Sequence, residues 1–248
     1  MPRLDESMQS HKIGGSFTFS AARVERLGAT EYTLVTVAVD ETGSVQGFSD
    51  QLREMLVTAV ESCKKSPRSD NLLVRVLTFS DRYKNGVNEI HGFKPLGEID
   101  TVSYPTIKPG GSTPLYDACY SAIGSQNVYG KKLVDQDFSC NGIVFIITDG
   151  GENASVATAQ MVADEAKKSV SGEILESMIS VLIGINGSSY SQWLSQFQKD
   201  AGLTQYIDAG DATPRKLAKL AAFVSKSISS QSQARGTGGP SQNISATI

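Results

Sequence analysis

The chain has 248 residues, of which 40% are hydrophobic and 20% are charged. This composition is typical of a globular protein and excludes a wholly disordered or fibrous chain. The 23 basic and 26 acidic residues give a formal net charge of −3. Because the chain has no excess of positive charge, it lacks the field that non-specific binding to nucleic-acid phosphates requires, and we expect no nucleic-acid partner.

Cysteine content and hydropathy bear on the cellular compartment. The three cysteines are Cys63, Cys119 and Cys140, an odd number without CxxC spacing, which favours a reducing compartment over a disulfide framework. No apolar run approaches the roughly 18 residues of a membrane-spanning helix. The first twelve residues are polar and contain no apolar signal-peptide segment. The sequence therefore predicts a cytoplasmic protein with no membrane partner.

Apolar segments that read as strands recur along most of the chain. They are predicted at residues 32–39, 72–79, 141–148, 177–185 and 206–209. The run from Ile143 to Ile147 is apolar on both faces, as a central parallel strand should be. A shorter segment, 87–93, follows the favoured turn pair Asn85-Gly86 and is predicted to be an antiparallel edge strand.

Amphipathic segments between these strands predict helices, because their apolar residues recur every three or four positions. The first helix carries the stripe Phe48, Leu52, Met55, Leu56, Ala59, Val60 and Cys63. The second is predicted to begin at Pro114. The third is predicted to bury Val156, Ala159, Ala163, Ala166 and Val170. A short fourth helix is expected at 192–199. The fifth is predicted to be capped by Thr213, to start at Pro214 and to bury Leu217, Leu220, Ala221, Val224 and Ile228.

Strands that alternate with helix-length crossovers predict an α/β fold. We expect a doubly wound, mostly parallel central sheet with helices on both faces and one antiparallel edge strand. The predicted domain spans residues 31–228. Residues 1–30 form an N-terminal extension in which an additional strand pair is expected from about residue 13, and residues 229–248 read as a low-complexity tail.

Small oxygen-bearing side chains cluster where the predicted strands end. They are Asp40, Thr42 and Ser44 after the first strand, Thr113 in a Gly-Gly-Ser-Thr-Pro loop, and Asp149 after the central strand. Each alone could be a turn or capping residue. Together they form a set of two carboxylates and three hydroxyls at the edge where open α/β sheets bind ligands. Such oxygen donors suit Mg²⁺, with Mn²⁺ or Ca²⁺ as alternatives, and no nitrogen or sulfur donor favours zinc.

The order D-x-[ST]-x-S, then G-G-x-T-P-L, then T-D-G resembles the metal-ion-dependent adhesion site of von Willebrand factor A domains, over about residues 31–228. The resemblance implies that hydroxyls such as those of Thr42 and Ser44 contact the metal, and that Thr113 does so directly or through water. It implies that Asp40 and Asp149 hold the metal's waters. Many members have serine where this chain has Thr42, which keeps the hydroxyl and adds a methyl group.

The resemblance also implies a function. An aspartate or glutamate of a protein partner completes the metal's coordination in this family. The motifs are most similar to bacterial stand-alone intracellular members, of the tellurite-resistance-associated and AAA-ATPase-associated branches. These work as adaptors, which implies an AAA ATPase or a kinase/phosphatase system as partner. We therefore expect a metal-dependent interaction module rather than an enzyme.

Two other functions stay open on the sequence. A metal-dependent hydrolase or phosphatase could use Asp40 as nucleophile, although Thr42 stands where a D-x-D motif needs its second aspartate and no G-x-S-x-G or phosphate-binding loop is present. A scaffold with an unoccupied site could make its contacts elsewhere.

Four acidic or amide residues near the motifs have open roles. Glu41 is expected to point to solvent. Glu152 and Asn153 fit either the rim of the site or a turn. Asp117 could support the site, but its place early in a helix favours an interaction with the helix dipole.

Overall fold

The computed structural model describes residues 7–171, 174–186 and 189–236. Eight strands form one sheet: β1 (Met8–Gly14), β2 (Phe17–Ala22), β3 (Glu31–Asp40), β4 (Leu72–Phe79), β5 (Val87–Pro95), β6 (Ser139–Thr148), β7 (Met178–Gly184) and β8 (Gln205–Asp208). Five α-helices accompany them: α1 (Ser49–Cys63), α2 (Leu115–Val134), α3 (Ala159–Ser171), α4 (Ser191–Asp200) and α5 (Pro214–Gly236).

The strand order in the sheet is β1-β2-β5-β4-β3-β6-β7-β8. Strands β4, β3, β6, β7 and β8 are mutually parallel, and β5 runs antiparallel to β4. The predicted fold class is therefore confirmed, including the antiparallel strand that follows Asn85 and Gly86, both of which adopt positive φ. That strand is not at the edge, because the β1–β2 hairpin extends the sheet beyond it.

Two hydrophobic layers cover the sheet. Helices α1 and α5 pack on one face, where the predicted stripes of both helices are buried. Helices α2, α3 and α4 contribute to the core on the other face. Cys63 lies in the first layer as expected, and burial raises the pKa of its thiol to about 12. No helix within the described residues is long and apolar enough to cross a membrane.

The expected stripe of α3 is only partly confirmed. Ala159 and Ala166 pack against the core, and the side chain of Val170 lies outside the described residues. Val156 was wrongly included, because it precedes the helix and is 78% exposed. Val162, Glu165 and Ser169 are buried although the stripe did not include them. Glu165 is accommodated there because its carboxylate accepts a hydrogen bond from Asn127 Nδ2 at 2.9 Å. Apolar periodicity could not identify Glu165 and Ser169 as buried, since both are polar.

Both ends of the domain extend further than expected. The first strand pair begins at Met8 rather than near residue 13. Helix α5 continues eight residues beyond 228, and Ser232 is buried where Arg68 Nε donates to its hydroxyl at 3.3 Å. The contact with Arg68 gives the Ser232 hydroxyl, in this polar end of the helix, a buried partner. Residues 1–6 and 237–248 lie outside the described residues.

Helix α2 starts at Leu115, with Pro114 at the N-cap.

A buried ion pair joins the N-terminal hairpin to the sheet. Arg75 of β4 is fully buried, and its Nε lies 2.7 Å from the Glu89 carboxylate on β5. The other guanidinium nitrogens donate to the Ser121 carbonyl and to the hydroxyls of Ser121 and Ser125 on α2. The second Glu89 oxygen accepts from the N–H and hydroxyl of Ser20 on β2. The Glu89 carboxylate on β5 therefore links β2 of the N-terminal hairpin to β4.

Replacement of Glu89 with alanine should strongly destabilise the protein, because it leaves the Arg75 charge buried without its partner. We expect the free energy of unfolding, measured by urea denaturation, to fall by about 3–5 kcal/mol. The control is Asp135→Ala, which breaks the exposed Lys131–Asp135 pair and should cost about 0.5 kcal/mol or less. Equal losses in the two variants would contradict the assignment.

Candidate metal site

The candidate site lies at the carboxyl ends of the two central strands. Strand β3 has β4 on one side and β6 on the other, so the chain reverses its direction of winding between β3 and β6. Such a reversal leaves a crevice at the carboxyl edge of the sheet. Val39 pairs with Ile147, which brings the loops that follow Asp40 and Thr148 side by side.

Asp40 is held in this crevice by two hydrogen bonds. Its Oδ1 accepts from the Thr42 backbone N–H at 2.8 Å, and its Oδ2 accepts from the Thr148 hydroxyl at 2.7 Å. The carboxylate is 1% exposed. The Thr42 bond closes a turn directly after β3, which directs the following hydroxyls toward β6. Thr148 was not among the predicted residues.

The remaining predicted side chains lie in one chain of close contacts. Thr42 Oγ1 is 3.1 Å from Ser44 Oγ, and Ser44 donates to Asp149 Oδ1 at 2.7 Å. Thr113 Oγ1 is 3.5 Å from Thr42 Oγ1. All five residues that the sequence singled out are thus brought together, from three loops far apart in sequence. That they bind a metal stays a prediction.

The two carboxylates are electrostatically unfavourable without a cation. Burial, together with the nearby charge of Asp149, raises the pKa of Asp40 to about 6, against the lowering effect of its hydrogen bonds. Burial also raises the pKa of Asp149. A divalent cation between them would stabilise both ionised forms.

The donor set fits a hard cation. The described residues contain no group of three or more His, Cys, Asp and Glu side chains placed to hold a metal. The cluster instead offers hydroxyl oxygens from Thr42, Ser44 and Thr113 and carboxylates from Asp40 and Asp149. Oxygen donors of this kind, supplemented by water, suit Mg²⁺, Mn²⁺ or Ca²⁺.

Two glycines allow the Thr113 loop to reach the cluster. Gly111 has φ +76°, and a Cβ there would lie 2.2 Å from Asp81 Oδ1. Its carbonyl accepts from the Gly43 N–H at 3.1 Å, which ties this loop to the one after β3. A Cβ at Gly110 would contact the Arg82 guanidinium at 3.0 Å. A larger residue at Gly111 would therefore push the loop away from the site, whereas at Gly110 the flexible Arg82 side chain can move aside.

Glu41 does not point to solvent, contrary to expectation. Its side chain is buried beneath the loop that precedes Gly110. One carboxylate oxygen accepts from the Lys108 N–H at 2.8 Å and lies 3.7 Å from Arg82 Nη2, and the other accepts from the Tyr83 hydroxyl at 2.9 Å. Glu41 therefore fixes the loop rather than repelling an acidic ligand at the rim.

The loop after β6 is locked to the start of α2. Asn153 Oδ1 accepts from the Thr113 N–H at 2.7 Å, and the Asn153 N–H donates back to the Thr113 carbonyl at 3.1 Å. Glu152 accepts from the Tyr116 N–H at 2.9 Å in the first turn of α2. Asn153 thus positions Thr113 at the rim. Glu152 takes part in both roles that the sequence left open, because its other carboxylate oxygen accepts from the Ala154 and Ser155 N–H groups in its own turn.

Asp117 anchors the same loop from the helix side. It is buried, and its carboxylate accepts from the N–H groups of Val156 at 3.1 Å and Ala157 at 2.7 Å. It therefore supports the site rather than acting only on the helix dipole. The sequence left this role open and could not identify the contact itself, because its partners lie 39 and 40 positions away.

Structural similarity agrees with the fold but comes with low sequence identity. No protein-family model matches the sequence, and no curated protein matches it. The open form of the SpaC pilus adhesin from Lactobacillus rhamnosus GG is similar over 90% of this chain and 34% of that chain, with 12% identity and a TM-score of 0.57. A mutant of the PilB minor pilin from Streptococcus sanguinis is similar over 89% of this chain and 66% of that chain, with 15% identity and a TM-score of 0.59.

A third similar structure is proximal thread matrix protein 1 from the mussel byssus with a zinc-occupied MIDAS motif. The similarity covers 82% of this chain and 47% of the mussel protein, with 15% identity and a TM-score of 0.53. The chain thus spans between about a third and two thirds of the length of these proteins. It has the fold that the resemblance to von Willebrand factor A domains implied.

Asp117→Ala should release the loop after β6. The change leaves the Val156 and Ala157 N–H groups without their acceptor, and we expect the free energy of unfolding to fall by about 2–3 kcal/mol. Hydrogen exchange at these two amides should accelerate more than exchange in the central strands. The matched control is Asp50→Ala, an exposed acidic residue in the first turn of α1. An unchanged exchange rate at both amides would contradict the anchoring role.

Proposed function

We propose that this protein is a metal-dependent protein-interaction module that binds an aspartate or glutamate of a partner through a Mg²⁺ ion at the candidate site. The observation that carries the proposal is the chain of contacts from Asp40 through Thr42 and Ser44 to Asp149, with Thr113 beside it. Its members are oxygen donors from three separate loops. A purely structural role would not require them to meet.

The balance of charge supports an acidic ligand. If the three hydroxyls contact the metal and the two carboxylates act through its waters, the ion keeps much of its positive charge. A carboxylate from outside then gains a strong, charge-assisted interaction that a neutral ligand lacks. The zinc in the MIDAS motif of the mussel protein supports a divalent cation in a related fold. We propose Mg²⁺ for this chain, with Mn²⁺ and Ca²⁺ as competitors.

We propose binding rather than catalysis. The hydrogen-bond partners of Asp40 are the Thr42 N–H and the Thr148 hydroxyl, neither of which is a general base. The two histidines lie on β1 and β5, away from the cluster. His91 is engaged with the Tyr104 hydroxyl at 2.8 Å. These contacts favour a site that holds a ligand over one that activates a nucleophile.

The cellular role follows from the motif resemblance. We propose a cytoplasmic adaptor of the bacterial, tellurite-resistance-associated type, with an AAA ATPase or a kinase/phosphatase system as the source of the acidic residue. Three reduced, buried cysteines are compatible with that compartment.

Mg²⁺ should stabilise the protein through the candidate site. A ligand at about 100 times its Kd raises the free energy of unfolding by about 2.7 kcal/mol, which a thermal melt would detect. Asp40→Asn should abolish this shift. The variant should fold, because the asparagine oxygen can still accept from Thr42 and the Thr148 hydroxyl can rotate to accept from the new amide.

The control for this experiment is Asp208→Asn. Asp208 also ends a parallel strand at the same edge of the sheet, is exposed and lies outside the cluster. It should keep the full Mg²⁺ shift. A shift that persists in Asp40→Asn, or is lost equally in Asp208→Asn, would contradict the assigned site. Repeating the melts with Mn²⁺ and Ca²⁺ ranks the three cations.

Binding of an acidic residue can be tested without knowing the partner. A random peptide library with aspartate fixed at its centre should be enriched on the immobilised protein in Mg²⁺ and released by chelator. A matched library with asparagine at that position should not be enriched, since it lacks the charge that the metal selects. Asp40→Asn should lose the enrichment, and Asp208→Asn should keep it. Equal enrichment of both libraries would exclude the metal–carboxylate contact.

A further inference from the structure

Four aromatic side chains form a cluster on the α4 side of the candidate site: Tyr116, Tyr190, Trp193 and Phe197, which we call the aromatic patch. Trp193 stacks on Phe197 with ring centroids 5.6 Å apart and on Tyr116 at 6.3 Å. Tyr116 and Phe197 are 4.9 Å apart. Phe197 is buried, whereas Trp193 and Tyr190 are 37% and 47% exposed. The patch therefore has a packed base and an open surface.

The patch adjoins the proposed metal ligands. A Cβ at Gly151 would lie 3.0 Å from the Tyr190 ring and 3.6 Å from the Trp193 ring, so both rings rest against that glycine. Gly151 is two residues from Asp149, which places their Cα atoms no more than about 7.6 Å apart. On the other side, a Cβ at the preceding residue, Gly150, would lie 3.7 Å from Thr113 Oγ1.

The opposite rim of the site has a different character. There the Arg82 guanidinium rests on Gly110 and is partly exposed, and Lys108 is exposed on the same loop. The side chains around the site thus change from charged on the Gly110 side, where Asp81 accompanies Arg82 and Lys108, to aromatic on the Gly151 side. A ligand that reaches the metal in extended conformation would meet a different chemistry on each side of its carboxylate.

We propose that the aromatic patch is a specificity surface for the same partner segment that supplies the acidic residue. It selects a segment with a large aromatic or aliphatic side chain two or three positions from the aspartate or glutamate. An extended chain advances about 3.3 Å per residue, so this spacing matches the distance from Asp149 to Gly151 and the rings beyond it.

Physical reasons favour this occupant over a charged or small one. Exposed tyrosine and tryptophan bury a large apolar area on contact. The stacking of Trp193 on Phe197 and Tyr116 fixes the indole before binding, so little side-chain entropy is lost. The surface is also continuous with the site that binds the carboxylate, so both contacts can form with one segment. This inference rests on the proposed function.

The test uses an array of synthetic peptides with a central aspartate in an otherwise alanine and serine background. Tryptophan, leucine or lysine is placed singly at each of the four positions on either side. With the wild-type protein in Mg²⁺, we expect tryptophan or leucine two or three positions away on one side to improve Kd by about tenfold over the parent peptide. Lysine at the same positions should bring no gain, and chelator should release all peptides.

Trp193→Ala and, separately, Tyr190→Ala should reduce this preference to about twofold or less while leaving Mg²⁺-dependent binding of the parent peptide intact. Tyr190 precedes α4, so its variant keeps the test decisive if Trp193→Ala fails to fold. Val134→Ala, with similar exposure at the far end of α2, should behave as wild type.

Four results would overturn the inference. A preference unchanged in folded patch variants excludes the patch, and no preference for apolar neighbours excludes the selection itself. Loss of parent-peptide binding in Tyr190→Ala would show a general role in the site rather than selection. Absence of any Mg²⁺-dependent binding to aspartate peptides by the wild-type protein refutes the proposed function, and this inference with it.

Discussion

The pairing of β3 with β6 is the constraint on which the candidate site depends. Their register, with Val39 opposite Ile147, sets Asp40 beside Thr148 and allows the 2.7 Å hydrogen bond between their side chains. Both strands are buried on both faces, so a slip of one residue would move each side chain to the wrong layer of the core. The hydrophobic core thereby fixes the relative position of two loops that share no sequence continuity.

The loops around this pairing are held by polar contacts rather than by apolar packing. Glu41 secures the loop before Gly110, and Asp117 secures the loop after β6. Each carboxylate accepts backbone N–H groups that would otherwise be unsatisfied. Such supporting contacts explain how the hydroxyls of Ser44 and Thr113 can both lie within 3.5 Å of the Thr42 hydroxyl at the carboxyl edge of the sheet, where irregular backbone is hard to position.

The two sides of the candidate site differ in charge and shape. Burial disfavours the ionised form of Asp40 and raises its pKa to about 6. A cation near the carboxylate would offset this cost by stabilising the ionised form. Charged residues of both signs lie on one side of the cluster, and the aromatic patch lies on the other. An asymmetric rim would let the proposed site distinguish partners by the residues beside their carboxylate, whereas the proposed metal contact alone would accept any acidic side chain.

The sequence by itself determined the strand and helix order, the parallel core and the five oxygen-bearing residues, because hydrophobic periodicity and loop motifs are local signals. It failed where a residue's role depends on a distant partner. Glu41 was expected in solvent, the burial of Glu165 on α3 was missed, and Asp117 was expected to act on a helix dipole rather than to hold a loop. The aromatic patch also depends on tertiary structure, since Tyr116 and Trp193 are 77 positions apart in the chain and meet only when α2 and α4 pack on the same face of the sheet.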